Sequence, residues 1–166
     1  MKIFFLVIAM SCCFLVGFLI KNSCKHKQLF FKDLTIFCEF IINNISASNE
    51  KINILLKQNF NEYDKDFNQF LYLYNDYINS TINKDEFFRK TKIKLYFLQQ
   101  KEINELLCFF DNLGKLTKEE EIANISNKRV YWQKILKNIE EKKIMLSNLY
   151  FKLFIILGLF LFIVFI

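Results

Sequence analysis

Side chains able to attack, ligate or shuttle protons are scarce in this chain of 166 residues. It has one histidine, His26, which excludes any metal site needing two imidazoles and any Ser-His pair elsewhere. Cys24 stands two positions before His26, and both are donor types found in metal sites and activated nucleophiles, but no second ligand cluster accompanies them. The five cysteines, Cys12, Cys13, Cys24, Cys38 and Cys108, do not pair by spacing and read as free apolar fillers of a reducing compartment. Glu39 stands in the apolar stretch 37–42 without a readable acid partner, which fits an interface carboxylate better than a general base. The glycines Gly17, Gly114 and Gly158 lie too far apart to cradle a phosphate. Three glycosylation sequons, beginning at Asn44, Asn79 and Asn124, are expected by chance in so asparagine-rich a chain. No catalytic, cofactor or metal signature emerges, so the expectation is a protein that is not an enzyme and carries no cofactor.

Lys+Arg 23 against Asp+Glu 17 gives a net charge of +6. Lys84, Arg89, Lys90, Lys92 and Lys94 are the nearest approach to a nucleic-acid patch. They alternate with Asp85, Glu86 and apolar residues, as a solvated helix face does, so no nucleic-acid partner is expected. A basic surplus near the ends of apolar segments is what a domain lying against anionic lipid carries.

The elements that must position these residues are helical. Pro 0 and Gly 3 leave no punctuation for a many-stranded fold, and a hydrophobic share of 53% with 21 Phe suits packed helices, so the class is all-α. Residues 3–20 and 153–166 are uncharged, roughly 27 Å and 21 Å as helices at about 1.5 Å per residue. Leu149, Tyr150 and Phe151 lengthen the second run past Lys152, whose stem can snorkel. Both runs read as membrane spans. The first goes on to Ile20 and then meets Lys21 and Lys25, which favours an uncleaved anchor over a signal peptide. A lipidated Cys12 is the weaker alternative, because Cys12 lies in the middle of the apolar run. Lysines flank the inner ends of both runs, so the positive-inside bias places the middle of the chain in the cytoplasm and both termini across the membrane. The expected organisation is an N-terminal span in 1–21, a helical bundle in 22–148 and a C-terminal span in 149–166.

Within the bundle, three- and four-residue apolar spacing marks about six segments. Leu29, Phe30, Leu34, Phe37, Phe40 and Ile41 form the first, ended by residues 46–49. Ile52, Leu55, Leu56 and Phe60 form a short second helix, and Phe67, Phe70, Leu71, Tyr74 and Ile78 a third. Asn83 with Glu86 starts a fourth through Phe87, Phe88, Ile93, Leu95, Tyr96 and Leu98, before a fifth at Ile103, Leu106, Leu107 and Phe110. Gly114 suits a helix C-terminus of positive φ, and Thr117 with Glu120 predicts a capping box. From Lys118 the stripe Ile125, Trp132, Ile139, Leu146 and Leu153 recurs at steps of seven, without a breaker, into the second run. A helix continuous from domain to membrane transmits orientation, which suits a scaffold better than a tethered enzyme.

Leu113-Gly114 closing one helix, a long final helix, a last span entered through Leu149-Tyr150-Phe151-Lys152 with Gly158 inside it, and Glu39 in the first domain helix together resemble the stage III sporulation protein AB family. The chain departs from the family pattern in having Thr117 and Glu121 where Asp and Gln are usual, no proline near Asn44, and Phe154 where an earlier glycine of the last span is expected. The resemblance implies an antiparallel bundle of six helices similar to the platform F protein of type II secretion and type IV pilus systems. It implies a place in the channel complex joining mother cell and forespore, in the mother-cell membrane. The partners implied are membrane lipid, other stage III sporulation channel proteins including a secretion-type ATPase, and further copies of the chain. The rival reading is a membrane-anchored helical binding module, or a lipoprotein-like factor, with its domain outside the cell. A membrane-bound hydrolase ranks third and would need a polar cluster that the sequence does not display.

Overall fold

The computed structural model describes the backbone of residues 2–48 and 63–165, and side chains chiefly in 22–47 and 63–142. Every element among these residues is a helix: α1 (Lys2–Ser48), α2 (Lys65–Ile78), α3 (Lys84–Lys94), α4 (Gln100–Asn112) and α5 (Lys118–Phe165). The number is therefore five among the described residues, against about six expected. The short helix placed on Ile52, Leu55, Leu56 and Phe60 lies outside them.

Two helices dominate. α1 has 47 residues and α5 has 48, each roughly 70 Å long at about 1.5 Å per residue. They pack antiparallel: Gln28 meets Glu140, Glu39 meets Arg129, and Lys118 donates to the carbonyl of Ser46. As numbers rise along α1 they fall along α5, so both helices leave the bundle at the same end. Residues 46–48, expected to break the first helix, stay in it; the Ser46 hydroxyl donates to the Ile42 carbonyl 2.7 Å away, satisfying itself within the helix.

The remaining helices pack on one another and on α1. α2 starts from Asp64, whose carboxylate accepts the Asp66 N–H at 3.3 Å. α3 starts from Asn83, whose side chain accepts the Glu86 N–H at 2.8 Å, as its spacing predicts. It runs from the end of the bundle near Asp111, where Lys84 lies, toward Phe97, whose ring is 5.9 Å from that of His26. α4 returns in the direction of α1, from Glu102 beside Lys27 to Phe110 stacked on Phe37 at 5.9 Å.

The core between them is aromatic. Phe30, Phe31, Phe37, Phe67, Phe70, Phe87, Phe109, Phe110, Tyr74 and Trp132 are all buried, and most ring pairs meet edge-on or tilted, the arrangement their quadrupoles favour. The seven-residue stripe of α5 holds as read for Ile125, Trp132 and Ile139, all buried, while Leu153 is exposed and Leu146 lies outside the described side chains. α3 departs from expectation at its end. Leu95 caps it, Leu98 turns inward, and Ile93 and Tyr96 face solvent at 66% and 74% exposure.

Among the described residues no helix is long and apolar enough to cross a membrane. The side chains of both uncharged runs, Leu153 apart, lie outside the described set; Cys12 falls in the first run and Gly158 in the second. Their backbone belongs to α1 and α5 as far as Phe165.

Candidate functional site

Two polar clusters, one at each end of the bundle, gather the residues with chemical potential. The first is the turn from α4 into α5. Leu113 is buried and anchors it, and Gly114 adopts φ 82°, a value that a Cβ would penalise. This places the Gly114 N–H 3.1 Å from Oε1 of Glu121, a carboxylate only 3% exposed, whose other oxygen has no hydrogen-bond partner among the described residues. Three residues on, both the N–H and the hydroxyl of Thr117 donate to Oε2 of Glu120, at 3.1 and 2.8 Å. Only the backward half of the expected capping box is made, and these two bonds hold the Glu120 carboxyl below its ordinary range.

Beside this turn lies an open recess of about 290 Å³ lined by Tyr74, Tyr77, Asp111 and Lys115 among others. Tyr77 Oη donates to Asp111 Oδ1 and Lys84 Nζ to Oδ2, both at 2.8 Å, with Lys115 3.8 Å away. The Lys84 bond is the main reason that the Asp111 carboxyl is depressed, and the bond to Asp111 raises Tyr77. The Tyr74 hydroxyl donates to the Phe110 carbonyl and is raised by burial. Tyr74 and Tyr77 from α2 and Lys84 from α3 all bond to α4, so the chemistry available is cross-linking of these three helices.

The second cluster sits where α1 and α5 leave the bundle. His26 Nδ1 lies 2.6 Å from Asp66 Oδ2, and Lys27 Nζ lies 2.7 Å from Glu102 Oε2 with both side chains largely buried. His26 is thus engaged by a carboxylate of α2, and Cys24 stays a free, half-buried thiol. Among the described residues no group of three or more His, Cys, Asp or Glu side chains could hold a metal. Cys38 is buried and its thiol is pushed up to about 12, first by desolvation, leaving no thiolate near neutral pH. A shallow groove of about 240 Å³ between α1 and α5 is lined by Lys25, Gln28, Lys32 and Glu140 among others.

The residues singled out from sequence are spread along the molecule rather than gathered. Glu39 bonds Arg129 Nη2 at 3.0 Å and ties α1 to α5, an interface role. Trp132 is fully buried, stacked on Phe31 at 5.6 Å with Tyr131 edge-on at 4.8 Å. Leu113, Gly114, Thr117 and Glu120 meet in the turn, whereas Gly158 lies in the last stretch of α5, outside the residues whose surroundings are described. The ion pairs Lys27–Glu102 and Lys84–Asp111 and the Asp33–Asp64 contact have no local signature, because each links segments far apart in the chain. At that last contact Asp33, raised chiefly by burial, accepts the Asp64 N–H at 2.6 Å.

The family model for stage III sporulation protein AB matches residues 2–166 of this chain. No curated protein and no solved structure matches it significantly.

Proposed function

The chain belongs to the stage III sporulation protein AB family, and on that premise we propose that it is a non-enzymatic membrane platform of the sporulation channel. The uncharged ends of α1 and α5 would anchor it in the mother-cell membrane around the forespore, with the bundle in the cytoplasm and both termini across the bilayer. The bundle would be the docking body for a secretion-type ATPase, coupling it to the channel much as the platform F protein serves type II secretion.

The observation that carries this reading is the antiparallel pair α1 and α5. Each is one unbroken helix from the bundle core outward, and both leave at the same end. Along α5, large apolar side chains persist past the bundle: Met145, Leu149 and Leu153 are 69%, 52% and 51% exposed. Exposed apolar residues in a row call for a non-aqueous cover, and the uncharged sequence that follows makes lipid the natural one. The polar clusters are consistent with a mount, since their groups bind one another across helices.

Recovery of the cross-linked full-length protein from sporulating cells tests the proposal. A secretion-type ATPase should be recovered with it, and protease should reach the bundle only from the cytoplasmic side of sealed vesicles. Channel components recovered without an ATPase would refute the coupling role, and cleavage of the bundle from outside would refute the orientation.

A further inference from the structure

We propose that the corner between α3 and α4 rests on the anionic headgroup surface of the bilayer and sets the tilt of the bundle against it; the proposal rests on the membrane-anchored reading above. Residues 87–101 hold five cations, Arg89, Lys90, Lys92, Lys94 and Lys101, and no carboxylate. Lys90 is paired with Glu86 at 2.8 Å, whereas Arg89, Lys92, Lys94 and Lys101 form no ion pair among the described residues. Within this cationic stretch the exposed apolar side chains are Ile93 and Tyr96, at 66% and 74%.

The fold decides where that stretch points. Leu95, Phe97 and Leu98 are buried and bolt the corner to the core, with the Phe97 ring 5.9 Å from His26 and 6.0 Å from Phe30. The Tyr96 ring is 5.7 Å from that of Phe97. Next to the corner, Lys27 and Glu102 fix the start of α4 to α1 at 2.7 Å. His26 lies roughly 9 Å along α1 from Ile20, the last residue of the first uncharged run, at about 1.5 Å per residue. The corner is therefore on the side of the bundle from which α1 and α5 emerge. Lysine stems with charged tips and an exposed tyrosine are the side chains suited to a headgroup layer, with the cations drawn to anionic lipid. A nucleic-acid strand would meet the same charges, but among the described residues of this stretch Tyr96 is the one exposed ring, whereas a strand is held by a series of rings under successive bases, and α1 brings the bilayer to this point.

The test reconstitutes the full chain into vesicles of brominated phosphatidylglycerol or brominated phosphatidylcholine. Tryptophan quenching is read as the excess over the wild-type chain, whose single Trp132 is buried. Tyr96→Trp should be quenched in the anionic vesicles, less in the zwitterionic ones, and less again when combined with Lys92→Glu and Lys94→Glu. Leu116→Trp, exposed at the opposite end of the bundle, should show no excess quenching. Carbonate extraction separates the two readings. A chain stripped from the vesicles removes the anchoring and this proposal together. A chain that is retained but has Tyr96→Trp unquenched, or equally quenched in both lipids, overturns the corner contact alone, as does a Tyr96→Trp signal suppressed by added oligonucleotide rather than by lipid.

Discussion

Asp111 is the residue through which three helices of the bundle are tied. It accepts Tyr77 of α2 on one oxygen and Lys84 of α3 on the other, from its own place in α4. Lys84 in particular holds its carboxyl low. A carboxyl whose pKa is lower folded than unfolded adds stability that is complete above its unfolded value, near 4, and is lost as pH falls through the folded value. The expected outcome is that wild type exceeds Asp111→Asn in denaturant midpoint at pH 7, and that the gap closes below about pH 4. Trp132 fluorescence in detergent reports it, and a gap unchanged at pH 3 would remove Asp111 as the titrating tie. Nothing near Asp111 in the sequence announces this role, because the two groups that hydrogen-bond it are 34 and 27 positions away. Trp132 was easier to read: it falls on a seven-residue stripe, and periodicity alone puts it in the core.

At the level of elements, what was legible is what local chemistry dictates. Asn83 caps α3 and Gly114 takes a positive φ, both readable from residue type and offset. Where distant packing decides, the pattern misleads. Ile93 and Tyr96 match helical spacing but end exposed, because the helix stops at Lys94 and the turn after it buries Leu95, Phe97 and Leu98 instead. Ser46 to Ser48 look like a breaker, yet α1 continues through them, since an exposed serine can bond its own helix. The turn before α5 yields a ranking. Gly114→Ala must place a Cβ at φ 82° and should cost roughly 1–2 kcal/mol. Thr117→Ala leaves the backbone N–H still bonded to Glu120, so it should cost about 0.5–1 kcal/mol, the lower part of the range for lost caps. Chemical denaturation of the two variants in the same detergent checks the order, and a larger loss for Thr117→Ala would mean that its hydroxyl, not the glycine, sets the turn.

For the whole molecule the question is whether force on the bundle can reach the bilayer. α5 is one helix from Lys118 to Phe165, held against α1 by Glu39–Arg129, Gln28–Glu140 and the Phe31–Trp132 stack, so displacement of the bundle has no hinge in which to dissipate. Inserting Gly-Pro between Leu146 and Ser147 introduces a breaker worth about 3 kcal/mol or more where the helix has left the core. Two inserted residues also rotate everything beyond them by roughly 200°, at 3.6 residues per turn, so an Ala-Ala insertion at the same point supplies the rotation without the break. If stiffness carries the function, Gly-Pro should abolish spore formation while Ala-Ala retains the larger part of it, with Trp132 fluorescence unchanged in both because the core lies on the other side of the insertion. Equal defects would assign the role to the facing of the last helix rather than its rigidity, and two normal strains would show that the bundle needs only a tether.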